Sequence, residues 1–127
     1  MIEVKIYYHD TDCGGVVYYA NYLKYLEQAR TEFFAEKGLS IKELSDNDTV
    51  FVVLRQEIDY KSPAFYGDQL QITTRISRST PVRIEFEHEI KKPGGQLVCS
   101  ARTLTACVSR DLKPKPIPED VKGRISQ

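Results

Sequence analysis

The sequence predicts an α+β fold in which one long helix packs on a five-stranded antiparallel sheet, and three patterns lead there. Residues 2–8 alternate apolar and polar side chains, as a strand with one buried face does. From residue 19 to about residue 37 the period lengthens. There Tyr22, Leu26, Ala29 and Phe33 fall four, three and four apart and form one apolar stripe on a helix. After a polar loop at residues 45–48, the remaining apolar segments all read as strand. The dimensions agree: a helix over residues 19–37 is about 28 Å long and five strands span about 20–24 Å, so one helix can cover one face of the sheet.

Each element has its own signals. Gly38 is placed to stop the long helix, because glycine accepts the left-handed conformation just past a helix end. Ser40 and Glu43 have the spacing of a capping box and predict a short second helix through Leu44. Residues 50–60 are rich in branched and aromatic side chains, and Pro63 ends that strand. Leu70, Ile72, Thr74 and Ile76 alternate with polar neighbours, as do Val82, Ile84, Phe86, His88 and Ile90, so each segment has one buried and one wet face. Ser79-Thr80-Pro81 and Pro93-Gly94-Gly95 supply the turns. Residues 97–108 lack clean alternation, as expected of a strand covered on both faces. Residues 111–127 read as an extended C-terminal tail of the single domain 1–127, solvent-facing over residues 113–118. One helix cannot seal such a sheet, and the open edge along residues 50–60 predicts pairing with a second copy, giving a homodimer or homotetramer.

Composition narrows the function classes. At 127 residues the chain is long enough for one domain with a real core. Its 18 basic and 18 acidic residues balance, which argues against a nucleic-acid partner. Three cysteines, an odd number without paired spacing, point to free thiols in a reducing compartment. No apolar run approaches the ~20 residues that span a bilayer, and no leader pattern is seen, so the expectation is a cytoplasmic protein without membrane insertion.

The chemistry concentrates in Tyr8-His9-Asp10-Thr11-Asp12-Cys13-Gly14-Gly15-Val16-Val17-Tyr18-Tyr19-Ala20-Asn21-Tyr22, which joins the first strand to the long helix. The loop can present a carboxylate while its glycines let backbone approach a ligand. The helix start adds unpaired N–H groups that suit an oxygen gaining negative charge. A base beside an oxyanion site points to acyl chemistry. Asp12 is the candidate carboxylate, whereas Asp10 reads as a structural residue bonded to backbone, and Asn21 as bonded to nearby backbone. Two other readings stay open at this point. His9, Asp10 and Asp12 could hold a metal in a phosphate hydrolase, and the chain could be a non-catalytic acyl-binding, envelope-associated scaffold. Cys13 with His9 gives a weaker nucleophile pair, because nothing orients the histidine. Cys99, Cys107 and His88 fall on core positions, and Glu27 with Arg30 reads as a helix-surface pair.

Asp10-Thr11-Asp12, then Gly15-Val16-Val17-Tyr18 and Ala20-Asn21-Tyr22, resembles the 4-hydroxybenzoyl-CoA thioesterase-like hot dog family. The branch most similar is that of the bacterial acyl-CoA thioesterases associated with the Tol-Pal system. The likeness also covers the helix text, Tyr60 with Ser62-Pro63-Ala64, and residues 82–90, roughly residues 2–110 in all. The resemblance implies a hot dog fold and an acyl-CoA thioesterase, with Asp12 as nucleophile or general base and Tyr8 beside it. Tyr19 stands where that branch usually carries histidine, and its backbone N–H is the implied oxyanion donor. Gly15 and Val16 are the implied substrate contacts in the loop, and Tyr60 and Ser62 the wall of the acyl pocket. Arg78 and Arg83 are the implied cations for the coenzyme A phosphates. No metal or separate cofactor is implied, since coenzyme A is part of the substrate. Acyl carrier protein and Tol-Pal components are the implied candidate partners.

Overall fold

Alternating side chains on four long segments build one antiparallel sheet in the computed structural model, which describes residues 1–126. The strands are β1 (Ile2–Lys5), β2 (Val50–Tyr60), β3 (Gln69–Ser79), β4 (Arg83–Lys91) and β5 (Leu97–Val108), and the helices α1 (Asn21–Glu36), α2 (Ile41–Asp46) and α3 (Glu119–Ile125). The strand order is β1-β3-β4-β5-β2, so β2 is an edge, as predicted. Its partner β5 runs in register from Val50 opposite Val108 to Tyr60 opposite Cys99, with one irregularity between Val53 and Arg55. Leu54 is the extra residue there, and both it and Val53 are about half exposed on the open edge.

The long helix is shorter at its start than its apolar period implies. Residues 18–20 form a tight turn, and α1 proper begins at Asn21 and ends at Glu36, where Gly38 takes φ +78°. Tyr22, Tyr25, Leu26, Ala29 and Phe34 are its buried residues. Ser40 caps α2 by accepting the Glu43 N–H at 3.2 Å, and the helix runs past Leu44 to Asp46. The first strand stops at Lys5 rather than continuing to Tyr8, because Tyr8–Asp10 closes a single 3-10 turn.

Two apolar clusters fill the space between α1 and the sheet. One gathers Ile6, Leu26, Leu70, Ile72, Ile90 and Val98; the other gathers Phe34, Ile84, Phe86, Cys107, Ile117 and Val121. Polar side chains also lie beneath the helix. His88, buried on the inward side of β4 as its parity predicts, faces the Thr74 hydroxyl at 3.0 Å through Nδ1. Arg30 reaches inward to donate to the Thr103 hydroxyl at 3.3 Å, and Thr103 in turn donates to Gln56 at 2.8 Å. The expected surface pair of Arg30 with Glu27 is therefore corrected: Arg30 turns to the sheet, and Glu27 accepts from Thr31 at 3.4 Å.

Two further expectations are corrected. Strand β5 alternates after all, with Ala101, Thr103, Thr105 and Cys107 buried and Arg102 exposed. The pattern was masked because inward positions carry threonine and outward ones carry Leu104 and Ala106. The tail is not extended throughout. Its Ile117 side chain is buried, and α3 follows it, with Val121 buried in the second cluster. Pro118 pre-sets the backbone at the helix start, with Glu119 and Asp120 in the first turn and Lys122 and Arg124 in the last, which suits the helix dipole. Among the described residues no helix is long and apolar enough to cross a membrane.

Candidate active site

The Asp12 loop is a tight hairpin. Thr11 bridges Val17, the Asp12 N–H donates to the Val16 carbonyl at 2.9 Å, and the Gly15 N–H donates to the Asp12 carbonyl at 3.0 Å. Gly15 sits at φ +80°, which a side chain would disfavour. The Asp12 carboxylate folds over the loop, where Oδ1 accepts the Gly14 N–H at 2.8 Å. A Cβ on Gly14 would stand 3.3 Å from that oxygen, so the bare glycine makes room for it. Asp12 therefore caps its own loop while its carboxylate stays exposed.

The hairpin is held from two sides. On one side, Val17 donates to the Ala64 carbonyl at 2.8 Å and Val16 bridges Phe65. Asp68 steadies that strap by accepting the Phe65 N–H at 2.8 Å and lying 3.3 Å from the Lys92 ammonium. On the other side, Asp10 ties the hairpin to α1. Its carboxylate accepts the Tyr7 N–H at 2.9 Å, and its carbonyl accepts both the Tyr18 N–H at 3.0 Å and the Asn21 side-chain amide at 2.7 Å. Both expectations, a structural Asp10 and a locally bonded Asn21, hold. The Tyr25 hydroxyl is buried near the Asp10 carboxylate and has no hydrogen-bond partner among the described residues. Burial first, and that carboxylate second, hold it protonated well above the ordinary tyrosine range.

The start of α1 is wound tightly. Asn21, Tyr22 and Leu23 donate three residues back to Tyr18, Tyr19 and Ala20, at 2.9, 3.4 and 3.2 Å. Ala20 stands at the N-cap and its side chain makes no capping bond. The Tyr19 and Ala20 N–H groups have no acceptor among the described residues. This is the expected donor position at the helix entry.

Tyrosines surround it. Tyr60 donates its hydroxyl to the Tyr19 carbonyl at 3.3 Å, and its ring lies 6.4 Å from that of Tyr19 and 5.6 Å from that of Tyr22. Tyr8 meets Tyr66 edge-on at 5.9 Å. Tyr8 is 74 % exposed, Tyr66 62 % and Tyr19 61 %. Burial raises the Tyr22 and Tyr60 hydroxyls above their ordinary pKa.

The predicted residues do not all converge within one chain. Asp12, Gly15, Val16, Tyr8, Tyr19 and Tyr60 gather at the end of the sheet where β3 begins. Ser62 lies at that end too, its hydroxyl donating to the Leu97 carbonyl at 2.7 Å. Arg78 and Arg83 flank the β3–β4 turn at the opposite end, since β3 spans roughly 33 Å at about 3.3 Å per residue. His9 is turned away, stacked on Tyr7 at 6.0 Å and 3.6 Å from Asp10. Among the described residues no three His, Cys, Asp or Glu side chains are grouped to hold a metal ion. The Ala64–Tyr66 strap and the Tyr66 ring escaped the sequence reading. Their one signal is the Tyr66-Gly67-Asp68 turn, with Gly67 at φ +89°.

Further concavities lie elsewhere. A groove of about 210 Å³ runs between α1, α2 and β2, lined by Phe34, Ile41, Phe51 and Val53 with Arg30 and Glu27. A shallower one of about 710 Å³, lined by Arg75, Glu87 and Arg102, occupies the helix-free face of the sheet, away from Asp12.

The sequence profile of the thioesterase-like superfamily matches residues 7–125, which takes in the hairpin, α1 and every strand after it. The chain belongs to that superfamily. It is thus a hot dog protein and, by family, a thioester hydrolase. It is 36 % identical over 122 residues to the acyl-CoA thioesterase YbgC of Haemophilus influenzae, covering 94 % of this chain and 89 % of that one. It is 34 % identical over 125 residues to the acyl-CoA thioester hydrolase YbgC of Shigella flexneri, covering 98 % and 93 %. A solved superfamily structure, the 1,4-dihydroxy-2-naphthoyl-CoA thioesterase from Synechocystis, superposes with a TM-score of 0.91 at 27 % identity, covering 99 % of this chain and 94 % of that one.

Proposed function

We propose that the protein hydrolyses acyl-CoA thioesters to the free acid and coenzyme A, with Asp12 as the reacting carboxylate. The reading is carried by one juxtaposition: an exposed carboxylate on a braced hairpin, next in the chain to a helix entry with two unpaired N–H groups. The thioester oxygen docks on the Tyr19 and Ala20 N–H groups, which stabilise the charge it gains in the tetrahedral intermediate. Asp12 then acts in one of two ways. As a base it takes a proton from the attacking water; as a nucleophile it bonds the acyl carbon and water later releases the acid. In both cases the carbon–sulfur bond breaks and the coenzyme A thiolate leaves and is protonated.

The open β2 edge supports a homodimer formed by antiparallel pairing of this strand with its copy, and a homotetramer is a dimer of such dimers. A two-fold axis near the middle of β2 brings the Tyr60 end of one chain beside the Val50 end of its partner. The groove over Phe51 and Val53 then adjoins the other chain's tyrosines, and the β3–β4 turn with Arg78 and Arg83 comes to the end of the dimer that holds the other chain's Asp12. That arrangement answers the separation seen within one chain and supplies cations for the phosphates of coenzyme A. The protein acts in the cytoplasm without a separate cofactor, and acyl carrier protein is the alternative acyl donor; the similarity to YbgC proteins makes Tol-Pal components the envelope partners to test.

Thiol release from CoA esters of graded length, aromatic ones included, tests the reading. Asp12→Asn keeps the shape and is expected to lower turnover at least ~100-fold while substrate still binds. Parental turnover in that variant refutes the role of Asp12. Binding without turnover in the parent refutes the enzyme and leaves a scaffold.

A further inference from the structure

We infer that Asn21 is a positioning residue: its side-chain amide, donating to the Asp10 carbonyl, fixes the Asp12 hairpin against the uncapped entry of α1, an inference that rests on the function proposed above. The case begins with a departure from ordinary helix chemistry. A helix entry is normally stabilised by a serine, threonine, aspartate or asparagine whose oxygen accepts the first free N–H groups. Here Ala20 stands at the cap and contributes no side-chain bond. The polar residue comes one place later, and it donates instead of accepting.

What it donates to is informative. The Asp10 carbonyl receives two bonds, from the Asn21 amide at 2.7 Å and from the Tyr18 N–H at 3.0 Å. These meet on the residue two before Asp12, in the chain leading into the hairpin. The two bonds therefore link the strand carrying the carboxylate to the turn that carries the Tyr19 and Ala20 N–H groups. Because the Asn21 side chain donates, it ties the helix entry down without placing an acceptor on the Tyr19 and Ala20 N–H groups. A misplacement of 1 Å between reacting groups can cost about a hundredfold in rate, so a brace of this kind acts on turnover more than on stability.

Three substitutions separate these effects. Asn21→Asp preserves size and places a favourable negative charge in the first helical turn, but sets an oxygen against the Asp10 carbonyl. Asn21→Ala removes the donor, and Asn21→Gln keeps an amide that can reach back. Thiol release and amide hydrogen exchange are measured on each full-length variant and on the parent. The expected result is a fall in kcat of at least tenfold for Asn21→Asp and Asn21→Ala, with KM within threefold and Tm within a few degrees of the parent. Asn21→Gln recovers part of the loss. Exchange at the Tyr18 and Asp12 amides rises at least tenfold in the first two variants. Unchanged exchange at those amides overturns the brace, and so does a kcat loss that tracks Tm or is equal in all three variants. If the parent releases no thiol from any ester, the proposed function fails, and the exchange measurement alone then decides whether Asn21 holds the hairpin.

Discussion

Acid should destabilise this protein through His88. Its ring lies beneath α1 on the inward side of β4, stacked 6.2 Å from Phe86, with Nδ1 at 3.0 Å from the Thr74 hydroxyl and Nε2 buried without a partner among the described residues. Burial, with the Arg30 guanidinium adding to it, lowers its pKa from 6.5 to about 4. Arg30 is the charged group that faces it; the other polar neighbours, Thr74 and Thr103, do not titrate. The folded pKa lies below the unfolded one, so the unfolded chain takes up the proton first as pH falls. Stability from a neutral His88 is thus complete above the unfolded value of 6.5 and is lost as pH drops toward about 4, below which both states are charged. At 1.36 kcal/mol per unit, the loss is about 2 kcal/mol by pH ~5 and about 3 kcal/mol by pH ~4. The parent is compared with His88→Gln by urea denaturation across this window. The parent should lose that much more stability than the variant between neutral pH and pH ~4. Parallel curves for the two proteins would show that His88 is not held neutral by the fold.

Other perturbations follow from the same contacts. Gly14→Ala pushes a Cβ to 3.3 Å from the Asp12 carboxylate and should lower turnover about tenfold with little change in Tm; unaltered kinetics would mean the loop absorbs the methyl group. Val121→Ala should cost about 2 kcal/mol in chemical denaturation despite lying in the C-terminal segment, because its side chain is buried in the second apolar cluster; a cost near zero would mean α3 does not contribute to the core. Val53→Lys with Leu54→Lys places charge on the open β2 edge and should convert a dimer to monomers in sedimentation, with loss of thiol release; an unchanged mass would rule out pairing along this edge.

Much of the fold was legible because the sequence reports local period directly. The stripe through Tyr22, Leu26 and Ala29 and the alternation through Leu70 and Ile72 each identify an element and its buried face. The readings failed where a local pattern is cancelled by distant packing. Inward-facing Thr103 and Thr105 are polar because they bond Gln56 and the Ile84 carbonyl, which hides the alternation of β5. Helix α3 was missed because seven residues with two apolar side chains, Val121 and Ile125, are too few to establish a period. Arg30 looks like a surface residue until Thr103, 73 positions away, is brought beneath it.

By itself, the sequence determined that a carboxylate, a glycine turn and a helix entry follow one another within residues 8–22, since chemistry and chain order alone set that adjacency. Only the tertiary structure decided how they face one another. The Ala64–Tyr66 strap and the Tyr60 ring beside Tyr19 join residues distant in the chain, and two hydrogen bonds on the Asp10 carbonyl fold the segment back on itself. It also decided that Arg78 and Arg83 stand at the far end of the sheet from Asp12. The physical reason is that hydrogen bonds and ring contacts depend on where the chain returns, and a return is a property of the packed whole.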